Sequence, residues 1–437
     1  MEVRDPVHGS IAILSQETPV IRADFFQRLR NIKQLGFSEY VFPGATHTRF
    51  LHSIGVMHVG SKVFEKLFSD VPNSSELRRI RQTFKLACLL HDIGHAPLSH
   101  STESVMPSLE KLNIPKEYLS KNEANQFRQA THEDYTIKSI ADSSLSESFK
   151  KHESDFGVIR KYIADLIRGE TDDESYFYLN GKSYFPLLHQ LVSSELDCDR
   201  MDYLLRDSYF CGVSYGSYDL DWLIDNLDCC EINGRYFLGI SERAVVTFDD
   251  FLLSRYHMFL MVYFHYRAVC LEQLLYRFFE TSPDEYKIPA NIEAYREHDD
   301  HHLMKVLRNS NNRYAQAIVK NDIPKKIFES FNDEQLKQLI EIEKTLKNEG
   351  IEYIRSSSQG RLSKYYSENL TENKYPLKVI RKQTLDGHER VLNINQSTEL
   401  FQRFSKSHSV NRIHCNFHTL DKKVQDKILK ITKGSYS

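Results

Sequence analysis

The apolar run Phe84-Lys85-Leu86-Ala87-Cys88-Leu89-Leu90 leads directly into His91-Asp92-Ile93-Gly94-His95-Ala96-Pro97-Leu98-Ser99-His100. The run reads as a buried helix, so the imidazole and carboxylate that follow it are delivered to a helix end inside the protein. Gly94 permits a turn there, and Pro97 stops the helix from continuing. Three histidines and an aspartate within ten residues, behind an apolar helix, point to a metal site rather than a solvated face. Neutral imidazole combined with carboxylate suits iron, manganese or zinc. Such a site needs further ligands from other parts of the chain, which long amphipathic helices can supply.

With 437 residues, 41% of them hydrophobic and 27% charged, the chain can bury a large core and has a globular composition. A net charge of −3 gives no global reason to bind nucleic acid, which leaves only a local basic groove for that purpose. Seven cysteines, odd in number and without a CxxC pair, indicate a reducing compartment. The polar start, Met1-Glu2-Val3-Arg4-Asp5-Pro6, does not read as a signal peptide. No run approaches the ~18–20 apolar residues of a membrane span. These features predict a cytoplasmic protein without a membrane partner.

The periodicity predicts a mainly α protein with a small β-hairpin and a smaller mixed α+β C-terminal lobe. Helices are expected over 20–35, from about Arg49 to Phe68, over Ser75–Asp92, over Leu187–Asp207 and over Asp250–Thr281. Asn233-Gly234 between Cys230 and Leu238 predicts a hairpin turn. Residues 291–350 read as helical. Short strands are expected near 376–381, 390–395 and 411–418, and Ser356–Gly360 reads as a polar, irregular stretch. The expected division is a core over 1–290, with its motif region at about 47–207, and a helical extension with a mixed lobe over 291–437.

Separated ligands on helices can converge. His52, His91, Asp92 and an aspartate of the 187–207 segment are the candidates; two imidazoles and two carboxylates would bind one divalent metal and leave positions open for water and a phosphate oxygen. An isolated histidine is more often a satisfied core or surface group; the His-Asp doublet with His95 and His100 behind it is not so easily dismissed. Arg49 shares a helix face with His52. Arg200, Tyr203 and Asp207 share another face, and Arg255 and Tyr263 a third. Each alone is unremarkable; their placement on ligand-bearing helices favours a phosphate-binding role.

Several strings then resemble a known family in order: Asp5-Pro6-Val7-His8-Gly9, Phe26–Gly36, Val41–Ser53, His91–His100, Thr131-His132-Glu133 and Leu196–Tyr203. They are similar to the HD-domain deoxynucleoside triphosphate triphosphohydrolases, nearest to the branch named for a sterile alpha motif, which is not recognised in this sequence. The resemblance covers roughly residues 3–270 and extends only weakly to Asn393–Gln396 and Arg412–Cys415. It implies that His52, His91, Asp92 and Asp199 hold one divalent transition metal (Fe, Mn or Zn), with Mg accompanying the nucleotide. It implies that His95, His100 and His132 surround the α-phosphate, with Glu103 orienting His132. Arg49, Arg200, Tyr203 and Arg255 are implied to hold the triphosphate. Gln34, Leu35, Tyr203, Asp207 and Tyr263 are implied to shape the deoxyribose site. A nucleotide effector site is implied at Asp5, Gln27 and Arg30, together with a homo-oligomer, dimer or tetramer.

The implied reaction is hydrolysis of a dNTP to deoxynucleoside and inorganic triphosphate, by metal-activated water attacking the α-phosphorus. The chain also departs from the family. Arg200 and Glu103 stand for Lys and Asp, Phe264 for a base-contacting Gln, and Arg22 for a guanine-reading Asp, so base preference and a GTP effector do not carry over. Alternatives are an HD hydrolase of another nucleotide or of single strands, or a nucleotide sensor. Gly94-His95 replaces the Glu-Asp pair of ppGpp hydrolases, and neither a Gly-Tyr-Pro signature nor a P-loop is present.

Overall fold

The computed structural model describes residues 1–120, 127–331, 335–360, 375, 377–382, 389–394, 397–398 and 408–433. The centre is the helix Arg49–Leu67, buried on nearly every side, which packs on Ser75–Leu90 and Cys198–Cys211. Close approach is possible because two positions carry no side chain. A Cβ at Gly55 would collide with Asp202 and Arg206, and one at Gly60 would press on Cys88. Around this trio lies one large apolar core, to which residues such as Phe26, Ile54, Phe84, Leu187 and Phe251 each contribute burial worth about 1.5–3 kcal/mol.

The helix Ser75–Leu90 begins at Ser74, whose Oγ accepts from the Leu77 amide at 3.1 Å, and ends where His91 turns the chain into the motif loop. Other long patterns are interrupted. The segment expected as one helix over 187–207 forms Phe185–Val192 and Cys198–Cys211. Asp197 causes the second start, accepting from the amides of Arg200 at 2.8 Å and Ser194 at 2.7 Å. The 20–35 segment breaks at the extended Ala23 into Thr18–Arg22 and Asp24–Arg28, yet Phe25, Phe26, Leu29 and Ile32 stay in the core. The aromatic segment runs as Val245–Met258, a π-turn over Phe259–Tyr263, and Tyr266–Thr281. Single π-turns of this kind recur where a helix must re-aim side chains at a site.

The hairpin forms as Leu227–Ile232 and Arg235–Ser241, with Asn233 at φ 53° and Gly234 at φ 77°, the left-handed pair that a tight hairpin requires. The C-terminal strands then separate. Lys378–Lys382 joins this hairpin in parallel, and Glu389–Asn393 extends it. His408–Cys415 instead lies between Lys325–Ser330 and Ile354–Gly360 in a three-stranded antiparallel sheet, which the helices Leu336–Asn348 and Lys422–Lys433 cover. The Ser356–Gly360 stretch, expected to be irregular, is therefore an edge strand, because Arg412 and its neighbours supply the ladder. The strand at 325–330 interrupts the helical reading of 291–350.

The cores do not meet at a single boundary near 290. Tyr295, Leu303 and Ile318 belong to the large core, and a second cluster gathers Phe328, Leu339, Ile342, Ile413 and Ile428. Asn395 and Gln396, including the end of one expected strand, lie outside the described residues.

The motif loop is pinned at Gly94. Its amide donates to Thr136 Oγ1 at 3.0 Å, and its carbonyl accepts from the Tyr295 hydroxyl at 2.8 Å. A Cβ there would collide with the His132 carbonyl and the Thr136 amide. Gly94→Ala is expected to lower stability by roughly 1–3 kcal/mol, read as an earlier urea-unfolding midpoint.

Candidate metal centre and nucleotide pocket

Three elements deliver four donors to one point: the helix from Arg49 brings His52, the end of Ser75–Leu90 brings His91 and Asp92, and Cys198–Cys211 brings Asp199 in its first turn. His52 Nε2 lies 3.0 Å from Asp199 Oδ1 and 3.6 Å from Asp92 Oδ2. His91 Nε2 lies 3.5 Å from Asp199 Oδ1 and 3.4 Å from Asp92 Oδ1. Ligand atoms about 2.1 Å from a shared cation sit about 3.0 Å apart at right angles and about 3.4 Å apart at tetrahedral angles. Among the described residues neither buried Nε2 has a well-aligned hydrogen-bond acceptor, although carboxylate oxygens of Asp199 and Asp92 lie close to both. Close approach without alignment is what a divalent metal's ligands show. The residues present therefore fit the metal.

The opposite ring nitrogens are held. His91 Nδ1 bonds the Cys88 carbonyl at 2.9 Å, and His52 Nδ1 bonds Asp202 Oδ2 at 2.8 Å. These bonds place the Nδ1 protons and leave both Nε2 lone pairs for a ligand. Asp202 is fully buried and also accepts from His8 Nε2 at 2.6 Å and from Arg206 Nε at 2.8 Å and Nη2 at 2.7 Å. Burial would raise its carboxyl, but Arg206, with His52 and His8, holds it well below the usual carboxylate range. Arg206 reaches on to Asp5 Oδ2 at 2.7 Å, while Asp5 Oδ1 takes the amides of Val7 and His8, each at 2.8 Å. Asp5, expected at an effector site, is instead buried in this support network.

Asp92 also pairs with Arg49, and its Oδ1 is 3.3 Å from His95 Nε2. That edge joins the four donors to a second group, His95, His100, Glu103 and His132. His95 stacks on His132 with ring centres 3.9 Å apart. Glu103 Oε1 takes the Nδ1 side of both His132 and His100, the latter at 3.1 Å. Burial opposes it, yet the two histidines hold the Glu103 carboxyl down at about 2. Burial, with Arg49 and His132, keeps His95 well below the usual histidine value, hence neutral.

His100 follows two left-handed residues, Leu98 at φ 55° and Ser99 at φ 60°. Such backbone is unfavourable for side chains larger than glycine and is retained where surroundings enforce it. Asp300 accepts the Leu98 amide at 2.7 Å and the Lys33 amide at 3.0 Å, and Ser99 Oγ takes Arg49 Nε at 3.0 Å. Asp300 was not legible as a site-supporting residue, because it lies far along the chain in an unmotivated stretch.

Next to these groups is a cavity of about 310 Å³ whose lining includes Gln34, Leu35, Arg49, His100, Tyr203, Asp207 and Tyr263. Asp207 is buried; Tyr263 donates its hydroxyl to Oδ2 at 2.7 Å, and His47 bonds Oδ1 at 2.7 Å. The Tyr203 and Tyr263 rings meet edge to face at 6.4 Å. Arg200 pairs with Asp197, and Arg255 pairs with Glu195 at 2.7 Å, each keeping a buried Nε without a partner. His47, Glu195, Asp197 and Asp202 were not assigned roles from sequence; the spacing that marks a ligand says nothing of what stands behind it. Gln27 and Arg30 lie apart from the cavity lining. Gln27 bonds the Ile21 carbonyl at 2.6 Å, and Arg30 bonds Gln27 at 2.8 Å and stacks on Phe50. Arg28 between them donates to the His95 carbonyl at 2.8 Å.

The HD domain family matches residues 49–207, and the HD associated region matches 218–349. An uncharacterized protein of Mycoplasma pneumoniae is 27% identical over 436 residues, covering 91% of this chain and 95% of that one. The deoxynucleoside triphosphate triphosphohydrolase SAMHD1 of Gallus gallus is 26% identical over 330 residues, covering 72% of this chain. This chain spans 52% of that protein's length, about half. The crystal structure of a hypothetical protein from Aquifex aeolicus superimposes with a TM-score of 0.74 at 25% identity, covering 98% of this chain and 99% of that one.

Without the metal, burial draws the His52 and His91 imidazoles down, but the carboxylates of Asp199, Asp202 and Asp92 overcome it and hold each up at about 9. Protons therefore compete with the metal. Divalent-metal affinity is expected to fall as pH falls below 9, with up to about two protons released per metal bound at pH 7, counted by calorimetry in buffers of differing ionisation enthalpy.

Proposed function

This chain belongs to the HD-domain phosphohydrolase family, and on that premise we propose that it is a metal-dependent dNTP triphosphohydrolase, releasing deoxynucleoside and inorganic triphosphate. The observation that carries the reading is the Asp92–His95 edge: it sets His52, His91, Asp92 and Asp199 beside histidines held by Glu103, one of which, His100, lines a cavity of about 310 Å³ together with Arg49. His52, His91, Asp92 and Asp199 would hold the metal. When bound, a divalent cation there lowers the pKa of a water and offsets phosphate charge.

The remaining work falls to the chain's own groups. Arg49, Arg200 and Arg255 are already held by carboxylates, so they are oriented before substrate arrives, and the spare Nε–H groups of Arg200 and Arg255 face a need for acceptors that phosphate oxygens meet. Glu103 fixes the Nδ1 protons of His100 and His132, which leaves their Nε2 atoms for the α-phosphate and the departing 5′-oxygen. His132 is the more enclosed of the two, at 18% side-chain exposure against 67% for His100, and is the better proton donor. Asp207 keeps lone pairs for a 3′-hydroxyl, while Tyr203 and Tyr263 narrow the space where a 2′-hydroxyl would sit. Gln34 and Leu35 complete that wall.

The same reading assigns Gln27 and Arg30 to an effector nucleotide within a homo-oligomer. Support comes from Arg28, which ties that segment to the carbonyl of His95.

The test is triphosphate release from the four dNTPs, singly and mixed, with Mn²⁺ or Mg²⁺. Triphosphate is the expected product, and activity confined to mixtures reveals an effector. Pyrophosphate or mononucleotide products, or none, would sink the assignment. Asp92→Ala and chelation should each abolish turnover. His132→Ala should lower kcat by about 10²–10⁴-fold at unchanged metal content, measured by single-turnover kinetics.

A further inference from the structure

The cavity has a wall that phosphate and sugar binding do not use. Arg49 and His100 stand at the metal end, and Gln34, Leu35, Tyr203, Asp207 and Tyr263 form the sugar side; the rest of the lining includes Phe259 and, on the helix Tyr266–Thr281, Glu272. A nucleotide whose phosphates and sugar are placed as above leaves its base to the remaining lining.

Glu272 is the unexplained member. Among the described residues no cationic side chain pairs with it, and its one hydrogen bond, accepted from Ser101 Oγ, is long at 3.4 Å. Asp207, by contrast, already has one hydrogen bond of 2.7 Å on each oxygen. Burial raises the Glu272 carboxyl to about 7. A carboxylate with spare lone pairs in the lining of this cavity is a strong acceptor that lacks a cationic partner among the described residues. Phe264, next to the sugar side in sequence, packs on Phe259 at 5.5 Å and offers no hydrogen bond to a base.

We propose, resting on the triphosphohydrolase reading, that Glu272 reads the nucleobase, its carboxylate accepting the N1–H and the exocyclic N2–H of guanine so that a guanine deoxynucleotide is the preferred substrate. The four bases differ in what they present to such a group. Guanine offers two adjacent N–H donors on one edge. Adenine and cytosine offer one amino group next to an acceptor nitrogen, and thymine offers one N–H between two carbonyls, whose oxygens repel a carboxylate. Phe259, half-buried in the same lining, adds an aromatic ring for the base to pack on.

The test compares dGTP with dITP, which lacks only the N2 amino group. For the metal-loaded wild-type protein, dGTP should bind about 10-fold more tightly than dITP, the scale of a lost partner in a bidentate base contact. In Glu272→Gln, where a donor replaces one acceptor, that ratio should collapse to about 1, and the preference in kcat/KM for dGTP over the other dNTPs should go with it. Equal wild-type affinity for dGTP and dITP, or a preference for dATP or dCTP, overturns the inference and leaves the triphosphohydrolase reading standing. Absence of any dNTP binding overturns both. The wild-type titrations decide the point even where the variant does not fold.

Discussion

Asp202 and Arg206, both fully buried, are the interaction on which the rest of the site depends. An ion pair taken out of water stabilises only when its remaining donors and acceptors are met, and breaking it by removing one partner is costly. Here Arg206 spans Asp202 and Asp5, and Asp202 also receives His52 and His8. The network thereby links the strand Glu2–Asp5, the helix Arg49–Leu67 and the helix Cys198–Cys211. The close packing at Gly55 follows from it, because only a residue without a side chain leaves room for both charged groups. One consequence reaches the site surface: with Nδ1 of His52 held by Asp202, Nε2 is left for the metal.

The same logic, in which charged groups are positioned by opposite charges behind them, recurs outward from the metal. Glu103 positions two histidines, Asp92 and Ser99 position Arg49, Asp197 positions Arg200, and Glu195 positions Arg255. Side chains held in this way lose little freedom when a charged ligand arrives, which is the physical content of a preorganised site. The left-handed Leu98-Ser99 pair fits this pattern too. Its backbone is kept in place by the carboxylate of Asp300, and His100 is turned toward the Glu103 cluster as a result. Glu272 departs from this pattern: among the described residues no cationic side chain stands behind its carboxylate.

Much of the centre could be read from residue order. A His-Asp doublet at the end of an apolar helix, an earlier histidine on an amphipathic helix and an unspecified aspartate of the 187–207 segment were legible as candidates because ligand chemistry restricts which side chains can serve; the family resemblance singled out Asp199. The hairpin at Asn233-Gly234 was legible for a similar reason, since few residues accept left-handed backbone. Element boundaries were less so. Periodicity carried the 187–207 and 250–281 segments through as single helices, but Asp197 restarts one and the π-turn at Phe259–Tyr263 interrupts the other. Side-chain hydrogen bonds to backbone amides compete with helix continuation, and hydrophobic spacing does not register that competition.

The sequence by itself determined the kind of protein, its helical core and the residue types around one metal, because those follow from apolar spacing and from the chemistry of imidazole and carboxylate. Tertiary structure alone decided which groups stand behind the ligands. Asp5, Asp202 and Arg206 form one buried network, Asp300 braces a loop some 200 residues away (Leu98, at a separation of 202), and Glu272 lines the cavity. Nothing local marks these residues, since a charged side chain is most often solvated, and only long-range packing that removes water turns it into a support or a reader.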